Sequence, residues 1–91
     1  MPSVGGPIAH FYLHIRNGSG YVEDLEGQEL PDLAAARVQA VEGIRSVLSE
    51  EARQGELDLR GSIEIADGDG NILLILPFKD AVHLRLDGTA M

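Results

Sequence analysis

The sequence predicts an α+β domain of order ββαββ: a mainly antiparallel sheet with one long helix packed on one face. Two stretches alternate apolar and polar residues around Asn-Gly and Asp-Gly turns, which is hairpin patterning. Between them lies the only long run with helical period, opened by Pro31-Asp32 and closed by Gly55. Ninety-one residues make a single domain, spanning 1–91.

Met1–Pro7 holds two Gly, two Pro and one Ser and reads as a flexible lead-in. From Ile8 to Ile15 the chain alternates. Ala9, Phe11, Leu13 and Ile15 share one face; His10, Tyr12, His14 and Arg16 share the other. Asn17-Gly18-Ser19-Gly20 is turn chemistry, because Asn-Gly suits positive φ. Tyr21-Val22-Glu23 starts a short return strand. The acidic stretch Glu23–Leu33, EDLEGQELPDL, then turns at Gly27 and joins hairpin to helix.

Asp32 stands where a carboxylate accepts free backbone N–H groups at a helix start, and Pro31 has no N–H to waste there. The helix runs from Leu33 to Arg53-Gln54. Leu33, Ala34, Ala40, Val41, Ile44, Val47, Leu48 and Ala52 form its apolar stripe. Arg37 interrupts that stripe near its centre. Gly43 is placed on the far face, where it costs about 1 kcal/mol relative to Ala. After the link Glu56–Arg60, Ser62–Ala66 alternates with Ile63 and Ile65 inward, and Asp67-Gly68-Asp69-Gly70-Asn71 turns the chain. Ile72–Leu76 is apolar at every position, the pattern of a strand that is central or covered on both faces. Pro77 ends it. One helix covers one face only, so the other calls for Ala81–Leu86, read as an extra edge strand, or for a second copy of the chain. Asp87–Met91 reads as a frayed tail.

Composition narrows the function classes. A chain this short buries only about 60% of the surface its unfolded form exposes. It has no cysteine, which excludes disulfides and thiolate metal sites. Seven basic residues are scattered among fifteen acidic ones, for a net charge of −8. Nucleic-acid binding depends on Lys and Arg neutralising phosphates, so direct binding to DNA or RNA is not expected. The charge suits solubility or a basic protein partner. No stretch reaches the roughly 20 apolar residues of a membrane span. The start lacks the basic and apolar regions of a signal peptide, so a cytoplasmic location is expected.

Three groups of residues invite chemistry, and each has a plainer alternative. His10 and His14 share a strand face, but four residues along a strand span about 13 Å, too far for one metal shell. Asp67, Asp69 and Asn71 match the opening of a calcium loop. Ile72 then stands where that loop needs Gly and Phe78 where it needs a bidentate Glu, leaving an Asp-Gly hairpin turn. Glu23, Asp24, Glu26, Glu29 and Asp32 are dense enough for acid–base or divalent-metal work, which requires two of them held apart in a water-poor cleft. The alternative is that some cap the helix and that Asp24, Glu26 or Glu29 pairs with Arg37. Nucleophile elbows, dinucleotide fingerprints and Walker loops do not occur.

The run Phe11–Arg16, the Gly turn, Asp24, Glu26-Gly27, Glu29-Leu30-Pro31-Asp32-Leu33, Ala36-Arg37 and Ala40 resembles a family of short bacterial proteins known as a domain of unknown function. Leu73–Phe78 matches the apolar strand and Pro-Phe with which its members finish. The resemblance covers Phe11 to about Val82. It implies the fold and transfers no active site. The order strand, turn, strand, acidic Pro-Asp stretch and Ala-rich helix is also similar to the N-terminal domain of HicB-type antitoxins, which implies a small basic protein as partner. The resulting expectation is a non-enzymatic interaction or regulatory module that self-associates, with no cofactor. Its candidate interaction or structural cluster is Asp24, Glu26, Glu29, Arg37, His10 and His14. The alternative is a small metal-dependent or acid–base enzyme using the acidic loop 23–32 with a strand histidine.

Overall fold

The computed structural model describes residues 9–18 and 20–83. The strands are β1 (Ala9–Asn17), β2 (Gly20–Val22), β3 (Gln28–Leu30), β4 (Ser62–Ala66) and β5 (Ile72–Pro77), with helix α1 (Leu33–Arg53) between β3 and β4. A 3-10 turn, Phe78–Ala81, follows β5. The expected α+β architecture holds, with one addition: the acidic joint contains a third short strand. All pairings are antiparallel, in the order β2-β1-β4-β5.

β1 is the longest strand and organises the sheet. One side pairs with β4, from Tyr12↔Ala66 to Arg16↔Ser62. The other side is shared: Ile15–Asn17 pair with β2 and Ala9–Phe11 with β3. Between those partners, no strand among the described residues runs beside Tyr12–His14 on that side.

α1 has the termini its sequence specifies. Asp32 Oδ1 accepts a hydrogen bond from Ala35 N at 2.9 Å. At the far end Gly55 N donates to Ala52 O and Glu56 N to Glu51 O, closing the last turn as a Schellman motif. The buried face is Ala36, Ala40, Ile44 and Leu48, an i, i+4 ladder set against Ile63, Ile65, Leu76 and Phe78. The expected stripe is therefore rotated. Ala34 and Ala52 are exposed and Ala36 is fully buried. Gly43 is not on the far face: it is half-buried, and a methyl group on it would sit 3.8 Å from Ile63 Cδ1. Periodicity defines the width of an apolar arc; contact with the sheet selects its centre, where small residues admit close approach.

The end of β5 locks onto the core through Phe78. Its ring is fully buried, and its N–H donates to Gly61 O at 2.8 Å. Arg45 Nε donates to Ala81 O at 2.8 Å, tying the 3-10 turn to the helix. Ala81 is thus buried on the helix side and ends a turn, not an edge strand. The rest of the expected strand Ala81–Leu86, beyond His83, lies outside the described residues, as do Met1–Pro7 and the tail 87–91. Among the described residues β5 is the edge of the sheet, and Ile72, Leu73 and Ile75 are exposed, so the cover that the pattern of Ile72–Leu76 calls for does not lie within them. No helix among the described residues is long and apolar enough to cross a membrane.

Two glycines test this packing in opposite directions. A methyl group at Gly43 makes ordinary contact and removes the helix penalty, so Gly43→Ala is expected to stabilise by about 0.5–1 kcal/mol. A methyl group at Gly61 would meet Arg16 O and the Phe78 ring, both at 2.7 Å, so Gly61→Ala is expected to destabilise by about 1–3 kcal/mol. Urea unfolding of the two variants checks both signs.

Candidate functional site

The unpaired side of β1 is where the acidic joint does its structural work. Leu13 N points away from β4, to the side where no strand among the described residues pairs with it. Asp24 Oδ2 accepts its hydrogen bond at 3.1 Å, standing in for the missing carbonyl. Asp24 Oδ1 accepts from Glu26 N at 3.2 Å and Gly27 N at 3.0 Å, an Asx-type turn that folds the loop on its own side chain. Asp24 N in turn donates to His14 Nδ1 at 3.0 Å. One residue thus ties the loop 23–27 to the strand and closes it.

His10 makes the second tie. Its Nε2 donates to Glu26 O at 2.7 Å, and its Nδ1 lies 4.0 Å from Glu29 Oε2. Gly27 has φ of +65°, and a Cβ there would lie 2.7 Å from both His10 Nε2 and Phe11 O. Conformation and space both demand glycine.

The strand face opposite the helix carries a row of rings. His10 and Tyr12 have centroids 5.0 Å apart, Tyr12 stacks on His14 at 6.3 Å, and His14 meets Tyr21 of β2 at 5.8 Å. Arg16 lies over the Tyr21 ring at 4.5 Å from its centroid and pairs with Glu64 of β4 at 3.2 Å. His14 is the buried polar residue of this row, 8% exposed. Burial, with the Glu64 and Glu23 carboxylates, pushes the Tyr21 phenol above its ordinary value, against the pull of Arg16. At Asp24, burial opposes ionisation. The N–H groups of Gly27, Leu13 and Glu26, with the His14 ring, outweigh it and hold the carboxyl below its ordinary value.

Of the six residues singled out from the sequence, five meet here: His10, His14, Asp24, Glu26 and Glu29. Glu26 contributes its backbone, and Glu29 faces His10 from β3. Arg37 does not join them. It is exposed on α1, one position past buried Ala36, and the ion pairs among the described residues are His10–Glu29, Arg16–Glu64, Arg53–Glu50 and Arg60–Asp58. No three His, Asp or Glu side chains among the described residues converge as metal ligands. The turn at Asp67 satisfies itself, its carboxylate accepting from Asp69 N, Asn71 N and Asn71 Nδ2. Sequence reasoning missed Tyr21 and Glu64, which reach the row only through strand register. It also missed the reach of Asp24, whose signal was the spacing to Glu26 and Gly27, two and three residues on.

Replacing Asp24 by Asn is expected to cost about 1–3 kcal/mol near neutral pH, because an amide cannot receive all these N–H groups. The folded-state carboxyl titrates below the unfolded value of about 3.9. Its stabilisation is therefore present above that value and is lost as pH falls through the lower folded one. The gap between wild type and Asp24→Asn in chemical unfolding should close below about pH 4. Arg37→Leu, at an exposed position, should change stability by less than about 0.5 kcal/mol in the same assay.

The family description for a domain of unknown function, DUF6894, matches residues 10–79, from the first histidine of the row to the turn after β5. No curated protein and no solved structure is significantly similar to the chain. The matched segment holds β1, the Asp24 loop, the helix and the Pro-Phe lock together, and the chain belongs to the DUF6894 family.

Proposed function

We propose that this protein is a small non-enzymatic interaction module that pairs with itself through β5 and the sheet face left open by the helix. The observation that carries this is the edge strand. Ile72, Leu73 and Ile75 are 47%, 42% and 55% exposed, and Ile72–Leu76 contains no charge and no proline. Exposed sheet edges are ordinarily blunted by charged side chains or an added strand; along Ile72–Leu76 the described residues supply neither, and the one irregularity is the register shift opposite Ile65/Ala66. An uncharged apolar edge in a chain of net charge −8 is instead suited to strand addition, with backbone hydrogen bonds providing affinity. A two-fold axis beside β5 would pair each strand with its own copy and extend the sheet across both chains.

The chemistry of the acidic joint supports the same assignment over catalysis. The Asp24 carboxylate receives three N–H groups, and His14 Nδ1 accepts a fourth. These lone pairs hold a loop in place, whereas a general base must offer one to a substrate. The remaining acidic surface fits a basic protein as a further partner, as the architectural likeness to HicB-type antitoxin domains also implies.

Light scattering across a concentration series tests self-association. A dimer is expected, and Ile75→Lys should weaken it by at least about tenfold, roughly 1.4 kcal/mol, while the unfolding midpoint of the monomer stays put. A wild-type chain that remains monomeric at high concentration overturns the proposal.

A further inference from the structure

We propose that His14 is a protonation-sensitive latch for the loop 23–27: its neutral ring holds the Asp24 backbone against the sheet, and its imidazolium releases it. The geometry permits one proton arrangement. A backbone N–H can only donate, so His14 Nδ1, 3.0 Å from Asp24 N, presents a lone pair. The neutral ring therefore carries its hydrogen on Nε2. A second proton would occupy that lone pair and set two donors face to face. His14 is 8% exposed, so water cannot replace the lost acceptor while the loop stays closed.

The second histidine of the loop responds in the opposite way. The Glu26 carbonyl can only accept, so His10 Nε2 donates to it whether the ring is neutral or charged. Protonation of His10 keeps that bond and turns the 4.0 Å contact with Glu29 into an ion pair. One loop is thus held by two histidines, of which only His14 must be neutral. Acidification frees the loop at Asp24 and leaves it anchored at Glu26. The Asp24 carboxylate, attracted to the imidazolium, keeps the Leu13 N–H, so the bond lost is that of the Asp24 N–H.

Charged and titratable groups face the His14 ring from every side. They are Tyr12 and Arg16 on β1, Tyr21 on β2, Glu23 and Asp24 in the loop, Glu64 across on β4, and Asp67 in the turn before β5. Glu64 is engaged by Arg16. The carboxylates attract the imidazolium to the place where the neutral ring already lies. The ring stays at the sheet, and the Asp24 backbone is the part that turns away.

NMR on the whole chain, followed from pH 8 downward until the His14 ring is protonated, tests the latch. Ring nitrogen shifts should give the Nε2–H tautomer for His14 at the alkaline end. As the His14 ring is protonated, the exchange protection of the Asp24 amide, normalised for intrinsic rate, should fall about tenfold or more, the effect of losing one hydrogen bond. The amides of α1 should hold theirs. His14→Gln supplies an acceptor that does not titrate and should abolish the step, whereas His10→Gln should keep it. An Asp24 amide that stays protected while the wild-type His14 ring becomes protonated overturns the proposal, with no variant required. A step that survives in His14→Gln overturns it equally.

Discussion

A strand flanked by two short partners has a gap between them, and in this protein one carboxylate fills it. β2 and β3 cover the two ends of β1, and among the described residues no strand pairs with Tyr12–His14 on that side. An N–H buried there without an acceptor would cost as much as several good contacts return. Asp24 supplies the acceptor for Leu13 and, with its other oxygen, bends the chain through Glu26 and Gly27. The bend delivers Gln28–Leu30 back onto the start of β1, and Pro31-Asp32 then starts the helix at the right place. Hairpin, loop and helix origin therefore depend on one side chain of the acidic joint.

The two faces of the sheet have different chemistry because the helix can cover only one. The inner face is closed by Ile44, Leu48, Phe78 and the small residues Ala36 and Ala40, which let backbone approach backbone. The outer face holds the row His10, Tyr12, His14 and Tyr21, with the Arg16–Glu64 pair, and runs into bare apolar side chains at β5. Polar rings at one edge and unprotected aliphatics at the other make the outer face an anisotropic surface. The proton-dependent loop borders the first edge and the proposed self-pairing uses the second, so the two devices stand at opposite margins of one sheet.

Both histidines sit on the same strand face, and their partners make them unlike. His10 meets a carbonyl and is a donor in any state; His14 meets an N–H and must be an acceptor. The acidic residues divide in the same manner. Asp24 and Asp32 spend their oxygens on backbone N–H groups, while Glu29 faces a ring that is charged only when protonated.

By itself the sequence determined the elements whose signals are local. The α1 boundaries follow from Asp32 and Gly55, the second hairpin from Asp67–Asn71, and the two faces of β1 from strict alternation, because capping, turn chemistry and period act within a few residues. The Asp24 to Gly27 spacing is equally local, yet the sequence assigned Asp24 no backbone partner and pointed it toward Arg37 instead. Only the tertiary structure decided the rest. It placed β5 at the edge of the sheet among the described residues, since an apolar run does not encode what lies beside it. It turned Gly43 and Ala36 toward the sheet, since a helical stripe acquires its centre from what it packs against. It left Arg37 in solvent and brought Tyr21 and Glu64 to His14, because cross-strand neighbours are set by register between segments dozens of residues apart.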